Sequence, residues 1–167
     1  NGNGIPESIT RSITGVDGNA ALNISVPYKT SYTQNILSVE SSINIKGGTS
    51  NTSIGGAGVY GENFTLNNNG SVWGGDGYNG GIAVSGNKIS INNYRNVYGG
   101  NGLGGSGSSG GAGLSGDDII VDNYRSIYGG DDVGGTGGSG VTGSNITVHN
   151  SGGILGGNGV NGGDGIN

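Results

Sequence analysis

Along most of this chain the same sequence returns: an apolar residue, one further residue, then two adjacent glycines. It reads Val72-Trp73-Gly74-Gly75, Val97-Tyr98-Gly99-Gly100, Ile127-Tyr128-Gly129-Gly130 and Ile154-Leu155-Gly156-Gly157, with a weaker early copy from Leu37 to Gly48. Successive copies are offset by 27, 25, 30 and 27 residues. A period of that length marks a repeat architecture, in which no single unit buries its own apolar face. The period also decides how to read the composition. Gly and Pro make up 45 of 167 residues, about 27%, which without a period would indicate low complexity.

Each full copy carries a second short segment ending in glycine: Val59-Tyr60-Gly61, Val84-Ser85-Gly86, Leu114-Ser115-Gly116 and Val141-Thr142-Gly143. The next apolar residue follows that glycine by three positions. Eight residues then separate Phe64 from Val72, Ile89 from Val97, Ile119 from Ile127 and Ile146 from Ile154, and Leu37 stands eight before Ile45. Length varies only after the paired glycines, with nine residues from Gly75 to Val84, fourteen from Gly100 to Leu114 and eleven from Gly130 to Val141. Fixed rungs with insertions at one corner are the behaviour of a solenoid.

The spacing predicts an all-β fold, a parallel β-helix (β-solenoid) with three short strands per turn of about 25–30 residues. Alternation within strands sends four columns inward: Val59/Val84/Leu114/Val141, Phe64/Ile89/Ile119/Ile146, Leu66/Ile91/Val121/Val148 and Val72/Val97/Ile127/Ile154. Asn68, Asn93, Asn123 and Asn150 share one corner, where stacked amides can hydrogen-bond from rung to rung. The glycines are read as permitting tight corners and close backbone packing. Residues 1–35, with Pro6, Pro27 and the alternating Leu22, Ile24 and Val26, read as an irregular N-terminal cap or first irregular rungs. Residues 36–167 are the rungs, and the chain stops mid-turn at Ile166-Asn167, as expected of a piece of a longer array.

A net charge of −5 argues against a nucleic-acid partner and against a polybasic membrane anchor. With no Cys and one His, disulfides, thiolate chemistry and multi-histidine metal sites are excluded. No apolar run approaches the ~18 residues of a membrane-spanning helix.

The tandem of a short strand ending in Gly, an alternating strand ending in Asn, a hydrophobic-x-Gly-Gly corner and a Gly/Asn loop resembles bacterial autotransporter passenger regions. The residues that carry the likeness include Gly61 to Gly75 and His149 to Gly159, within a stretch from about Leu37 to Asn167. The resemblance implies a secreted, right-handed β-helix on a Gram-negative cell surface, serving adhesion, self-association or biofilm formation. Membrane attachment would come only through a C-terminal β-barrel that these residues do not include. Partners would be the same protein on a neighbouring cell, or a host or bacterial surface glycan or protein.

Candidate contact residues lie on the outside. Tyr94-Arg95 and Tyr124-Arg125 fall at the same place in adjacent repeats, where the flanking repeats have Asn69-Gly70 and Ser151-Gly152. Such a patch can stack on a sugar ring or pair with a carboxylate or phosphate. The alternative is two similar rungs that arose by duplication, whose tyrosines simply cover the corner. A second column, Trp73, Tyr98, Tyr128 and Leu155 preceded by Lys46, is outward by alternation, and either contacts a ligand or lies under the Gly-rich loop. The stretches Gly74 to Asn79 and Gly156 to Asn161 match the opening of the nonapeptide calcium repeat but lack its later aliphatic residue and its tandem order. No cofactor or metal is assigned, and Asp131-Asp132 and Asp117-Asp118 read as solvated surface acids. Arg95 and Asp122 read as a surface ion pair, and His149 as an outward strand residue. No carboxylate pair is placed for general acid–base work, so no enzyme is expected, and the resemblance implies an adhesin or self-associating passenger. A carbohydrate-active β-helix enzyme and an inert stalk are the alternatives.

Overall fold

The computed structural model describes residues 7–24 and 35–167; Pro6, Val26 and Pro27 lie outside the described residues. The chain is all-β, with no helix among the described residues, and coils into a parallel β-solenoid of about five turns. Three sheets form its sides. One stacks Glu7–Ile9, Asn35–Val39, Phe64–Asn68, Ser90–Asn93, Ile120–Asn123 and Thr147–Asn150. The next stacks Ile13–Thr14, Asn44–Lys46, Ser71–Trp73, Asn96–Tyr98, Ser126–Tyr128 and Gly153–Leu155. The last stacks Leu22–Ile24, Val59–Gly61, Val84–Ser85, Leu114–Asp117 and Val141–Ser144.

The inward columns are those of the repeat. Val59, Val84, Leu114 and Val141 are in register and fully buried, as are Val72, Val97 and Ile127. Phe64, Ile89 and Ile119, and Leu66, Ile91 and Val121, complete the core. In the last rung Ile146, Val148 and Ile154 are half-buried and pack against it. Residues 7–14 pair with Leu37–Val39 and with Ile45–Lys46, and Leu22–Ile24 pairs with Val59–Gly61.

The early repeat aligns differently from the spacing. Leu37 pairs with Leu66, not with Phe64, while Ile45 still pairs with Val72. Two extra residues therefore sit in the corner, where Ser42 takes a left-handed conformation (φ 70°) and Ile43 packs on the core. A slip of two keeps every side chain on its face, so the apolar pattern did not reveal it.

A second set of paired glycines closes each rung: Gly55-Gly56, Gly80-Gly81, Gly110-Gly111, Gly137-Gly138 and Gly162-Gly163. Their N–H groups and those of the first set alternate in one continuous run. Gly56 donates to Gly48, Gly75 to Gly56, Gly81 to Gly75, Gly100 to Gly81, and so on to Gly163 and Gly157, at 2.7–2.9 Å. A Cβ at Gly75, Gly100, Gly111 or Gly130 would lie 1.9–2.1 Å from a carbonyl oxygen of this zipper. Only glycine fits where the chain leaves the core and returns to it.

Between the two glycine pairs the loop is ordered. Ser50–Ile54 pairs with Gly77–Asn79, Asp132–Thr136 pairs with Gly159–Asn161, and bridges from Gly102 to Gly77 and to Asp132 join the two pairs into a fourth ladder. At the opposite corner Asn63, Lys88, Asp118 and Asn145 stack in the left-handed region, φ 52–55°. Asn and Asp tolerate that conformation better than other residues.

Gly111→Ala is expected to cost about 3 kcal/mol, and to lower Tm by roughly 6–12 °C. Gly105→Ala tests the contrast: its φ is +82° but nothing lies within 4 Å of the added Cβ. That variant should lose only about 1 kcal/mol. Thermal and urea unfolding of the two proteins check the order, and equal losses would mean that the close glycine contacts are not what constrains the neck.

Candidate functional site

The doubled Tyr-Arg sequence forms an outer corner. The strand ends at Asn93 or Asn123, the chain turns, and the next strand starts at Asn96 or Ser126. Backbone bonds hold the corners in line: Tyr94 N–H donates to Asn68 O (3.0 Å) and Tyr124 N–H to Asn93 O (2.9 Å). The two rings stack at 5.0 Å with planes 1° apart, and stay 47% and 51% exposed. Arg95 and Arg125 occupy equivalent exposed positions between the register pairs Asn93–Asn123 and Asn96–Ser126.

Beneath the corner runs the asparagine ladder. Asn68 Nδ2 donates to Asn93 Oδ1 (2.8 Å), Asn93 Nδ2 to Asn123 Oδ1 (2.8 Å) and Asn123 Nδ2 to Asn150 Oδ1 (2.7 Å). The same amides also reach corner carbonyls: Asn68 to Asn96, Asn93 to Ser126, and Asn123 to Arg125 and Gly153. Asn68, Asn93 and Asn123 are fully buried, so the exposed corner rests on a dry, hydrogen-bonded brace. The ladder stops at Asn68, whose Oδ1 has no partner, because Val39 stands below it in register.

Trp73, Tyr98 and Tyr128 also stack, at 3.9 and 5.1 Å with planes 19° and 6° apart, and are half-buried. Lys46 lies in register below Trp73, and Leu155 above Tyr128. Three residues after Trp73, Tyr98, Tyr128 and Leu155 stand Asp76, Asn101, Asp131 and Asn158. Asn101 N–H donates to Asp76 Oδ1 (2.9 Å), Asp131 N–H to Asn101 Oδ1 (3.0 Å) and Asn158 N–H to Asp131 Oδ1 (2.6 Å). Lys46 pairs with Asp76 at 3.1 Å. Between the two columns runs an open trough of about 430 Å³ floored by Gly99, Gly129 and Gly156. The rings face each other along the column, so the trough meets their edges. Burial raises the Tyr98 pKa, helped by Tyr128 and opposed by a hydrogen bond with Asn96.

Asp117, Asp118 and Asp131 are exposed as expected, whereas Asp132 and Asp122 differ from the expectation. Asp132 is not a solvated acid but is 1% exposed; it accepts Gly134 N–H, Gly135 N–H and the Ser108 hydroxyl, and so anchors the longest loop. Asp122 pairs with His149 at 2.7 Å and not with Arg95. Asp117 accepts the Ser144 N–H and hydroxyl, which lower its pKa, and Asp118 accepts from Asn145. No three His, Cys, Asp or Glu side chains stand together as a cation site among the described residues. The reading of the sequence missed the ladder from Asp76 to Asn158 and the exposed apolar column Tyr78, Leu103, Val133 and Val160 beside it. Counting forward from the paired glycines finds both, at the first and third positions.

The chain matches no protein-family model, no curated protein and no solved structure.

Two outcomes follow. Asn93→Ala leaves the buried Asn123 Oδ1 without its donor and should cost about 2 kcal/mol in urea unfolding; an unchanged midpoint would mean the ladder braces nothing. Because the folded-state pKa of Tyr98 lies above its ordinary value, its contribution is present below about pH 10 and fades as pH rises through the folded value. Tyr98→Phe should therefore show a smaller fall in Tm than wild type between about pH 9 and pH 11.

Proposed function

We propose that this chain is part of a secreted bacterial surface passenger of the autotransporter kind, acting in cell–cell or cell–surface adhesion. The observation that carries this reading is the doubled Tyr-Arg corner. Two aromatic and two guanidinium side chains face solvent on a backbone braced from within by buried amides. Rigid backing lowers the ordering cost that an exposed patch meets on binding. The resemblance in repeat wording supports an extracellular position on the outer membrane, and a solenoid of stacked rungs suits a stalk that holds a contact face away from the cell.

The test is display on an otherwise non-aggregating bacterium. Wild type is compared with a variant carrying Tyr94→Ala, Arg95→Ala, Tyr124→Ala and Arg125→Ala, at matched surface level. Wild-type cells are expected to clump or to adhere to a coated surface, and the variant to lose most of that, read by settling and by adherent-cell counts. Equal adhesion moves the contact to another face, and no adhesion by wild type removes the reading.

A further inference from the structure

We propose that the Tyr94-Arg95/Tyr124-Arg125 corner is a binding site for an acidic polysaccharide, with the guanidiniums taking sugar-borne anions and the tyrosine faces taking sugar rings.

Seven acids of this net-acidic chain are already engaged inside it. Glu40 accepts from Ser8, Asp76 from Lys46, Asp117 from Ser144, Asp118 from Asn145, Asp122 from His149, Asp131 from Asn158 and Asp132 from Ser108. None of them reaches Arg95 or Arg125, and neither guanidinium has a hydrogen bond or ion pair among the described residues. Register places these two positive side chains one rung apart, at roughly 4.8 Å along the stack. Like charges placed side by side across a ladder oppose folding. Among the described residues no counter-charge pairs with them, although Asp122 stands three residues before Arg125. Two guanidiniums in neighbouring rungs present forked donors that match carboxylate or sulfate oxygens.

The tyrosine pair adds an apolar surface beside these charges. Each ring spends one face on the other. The opposite faces point along the stack towards Asn69 and Ser151, short side chains in the neighbouring rungs, so neither is capped by another ring. A flat apolar face beside a bidentate cation fits a pyranose ring carrying an acidic group. A carboxylate on a peptide would use the arginines and leave the rings idle. A polyphosphate chain needs an extended basic track, whereas this one spans two rungs on a molecule of net charge −5.

The inference rests on the adhesin reading for its setting, but its test uses purified protein. Binding to polygalacturonate (carboxylate), dextran sulfate (sulfate), neutral dextran and duplex DNA is measured by titration calorimetry, with fold checked by circular dichroism and melting. Wild type should bind at least one acidic glycan and not neutral dextran, and the tighter of the two names the anion. Arg95→Gln with Arg125→Gln should weaken that binding at least tenfold. Arg95→Lys with Arg125→Lys should restore only part, because lysine cannot fork. Tyr94→Ala with Tyr124→Ala should weaken binding with the salt dependence retained. Should the glutamine variant fail to fold, affinity of wild type across a NaCl series must still fall with salt. Wild-type-like affinity in the glutamine variant, salt-independent binding, binding of neither acidic glycan, or DNA bound as tightly would overturn the proposal. Arginine-dependent glycan binding without adhesion by displaying cells would sink the adhesin reading alone; adhesion with arginine-independent binding would sink this one alone.

Discussion

The glycine zipper is the constraint on which the rest of the solenoid depends. Three strands per turn can close a triangular core only if the chain returns to the first side at a fixed place. Here it returns through a neck where two backbones pass close enough to exchange hydrogen bonds, Gly75 with Gly56 and with Gly81, Gly100 with Gly81 and with Gly111. Except at Gly162 in the last loop, the contact leaves no room for a Cβ, so the neck requires paired glycines at the feet of the loops. The cost is the large backbone entropy that glycine loses on folding. It is offset by saturation of N–H and C=O groups that would otherwise be buried without partners. With both feet held, the excursion between them can change length without shifting a rung. It can also carry its own ladder, as Gly77, Gly102, Asp132 and Gly159 do.

Once rungs are in register, like stacks on like, and each residue type then meets its own chemistry. Amides pair usefully, since each Asn both donates and accepts, so Asn68 to Asn150 form a buried run. Carboxylates would repel, and the loop ladder avoids this by alternating Asp76, Asn101, Asp131 and Asn158. Aromatics stack, and in doing so turn their edges outward. Arginines gain nothing from one another. The repeated Arg95 and Arg125 therefore stand out as the position where stacking opposes stability with no counter-charge among the described residues.

Much of this was legible in the sequence because solenoid rungs are short and local. The four inward columns follow from period-two alternation plus a fixed interval, and Val59 through Val141 or Val72 through Ile127 lie where that arithmetic puts them. The outward stacks of Tyr94 on Tyr124 and of Trp73, Tyr98 and Tyr128 follow for the same reason. What escaped was whatever alternation cannot encode. The two-residue offset at Leu37 preserves parity, so both alignments bury the same faces. The burial of Asp132 depends on Ser108, 24 residues away in a loop of different length. The pairing of Asp122 with His149 instead of Arg95 turns on direction. Asp122 and His149 are register partners on one strand face, whereas Arg95 lies around the corner in the preceding rung.

The size of the Tyr-Arg corner bears on how a contact there would act. Two rungs offer two guanidiniums and two free ring faces, a footprint far below that of a stable protein–protein interface. Affinity at one such corner is correspondingly modest. On a cell surface, many copies meeting one polymer convert later contacts into intramolecular events, and avidity then exceeds the single-site affinity by orders of magnitude. That gain requires each corner to hold its geometry while unliganded. The buried amide ladder supplies this directly beneath Tyr94 and Tyr124, through bonds from Asn93 and Asn123 to the carbonyls of Ser126 and Arg125. The polar core thus has a use beyond satisfying itself: it ties an exposed turn to the sheet beside it.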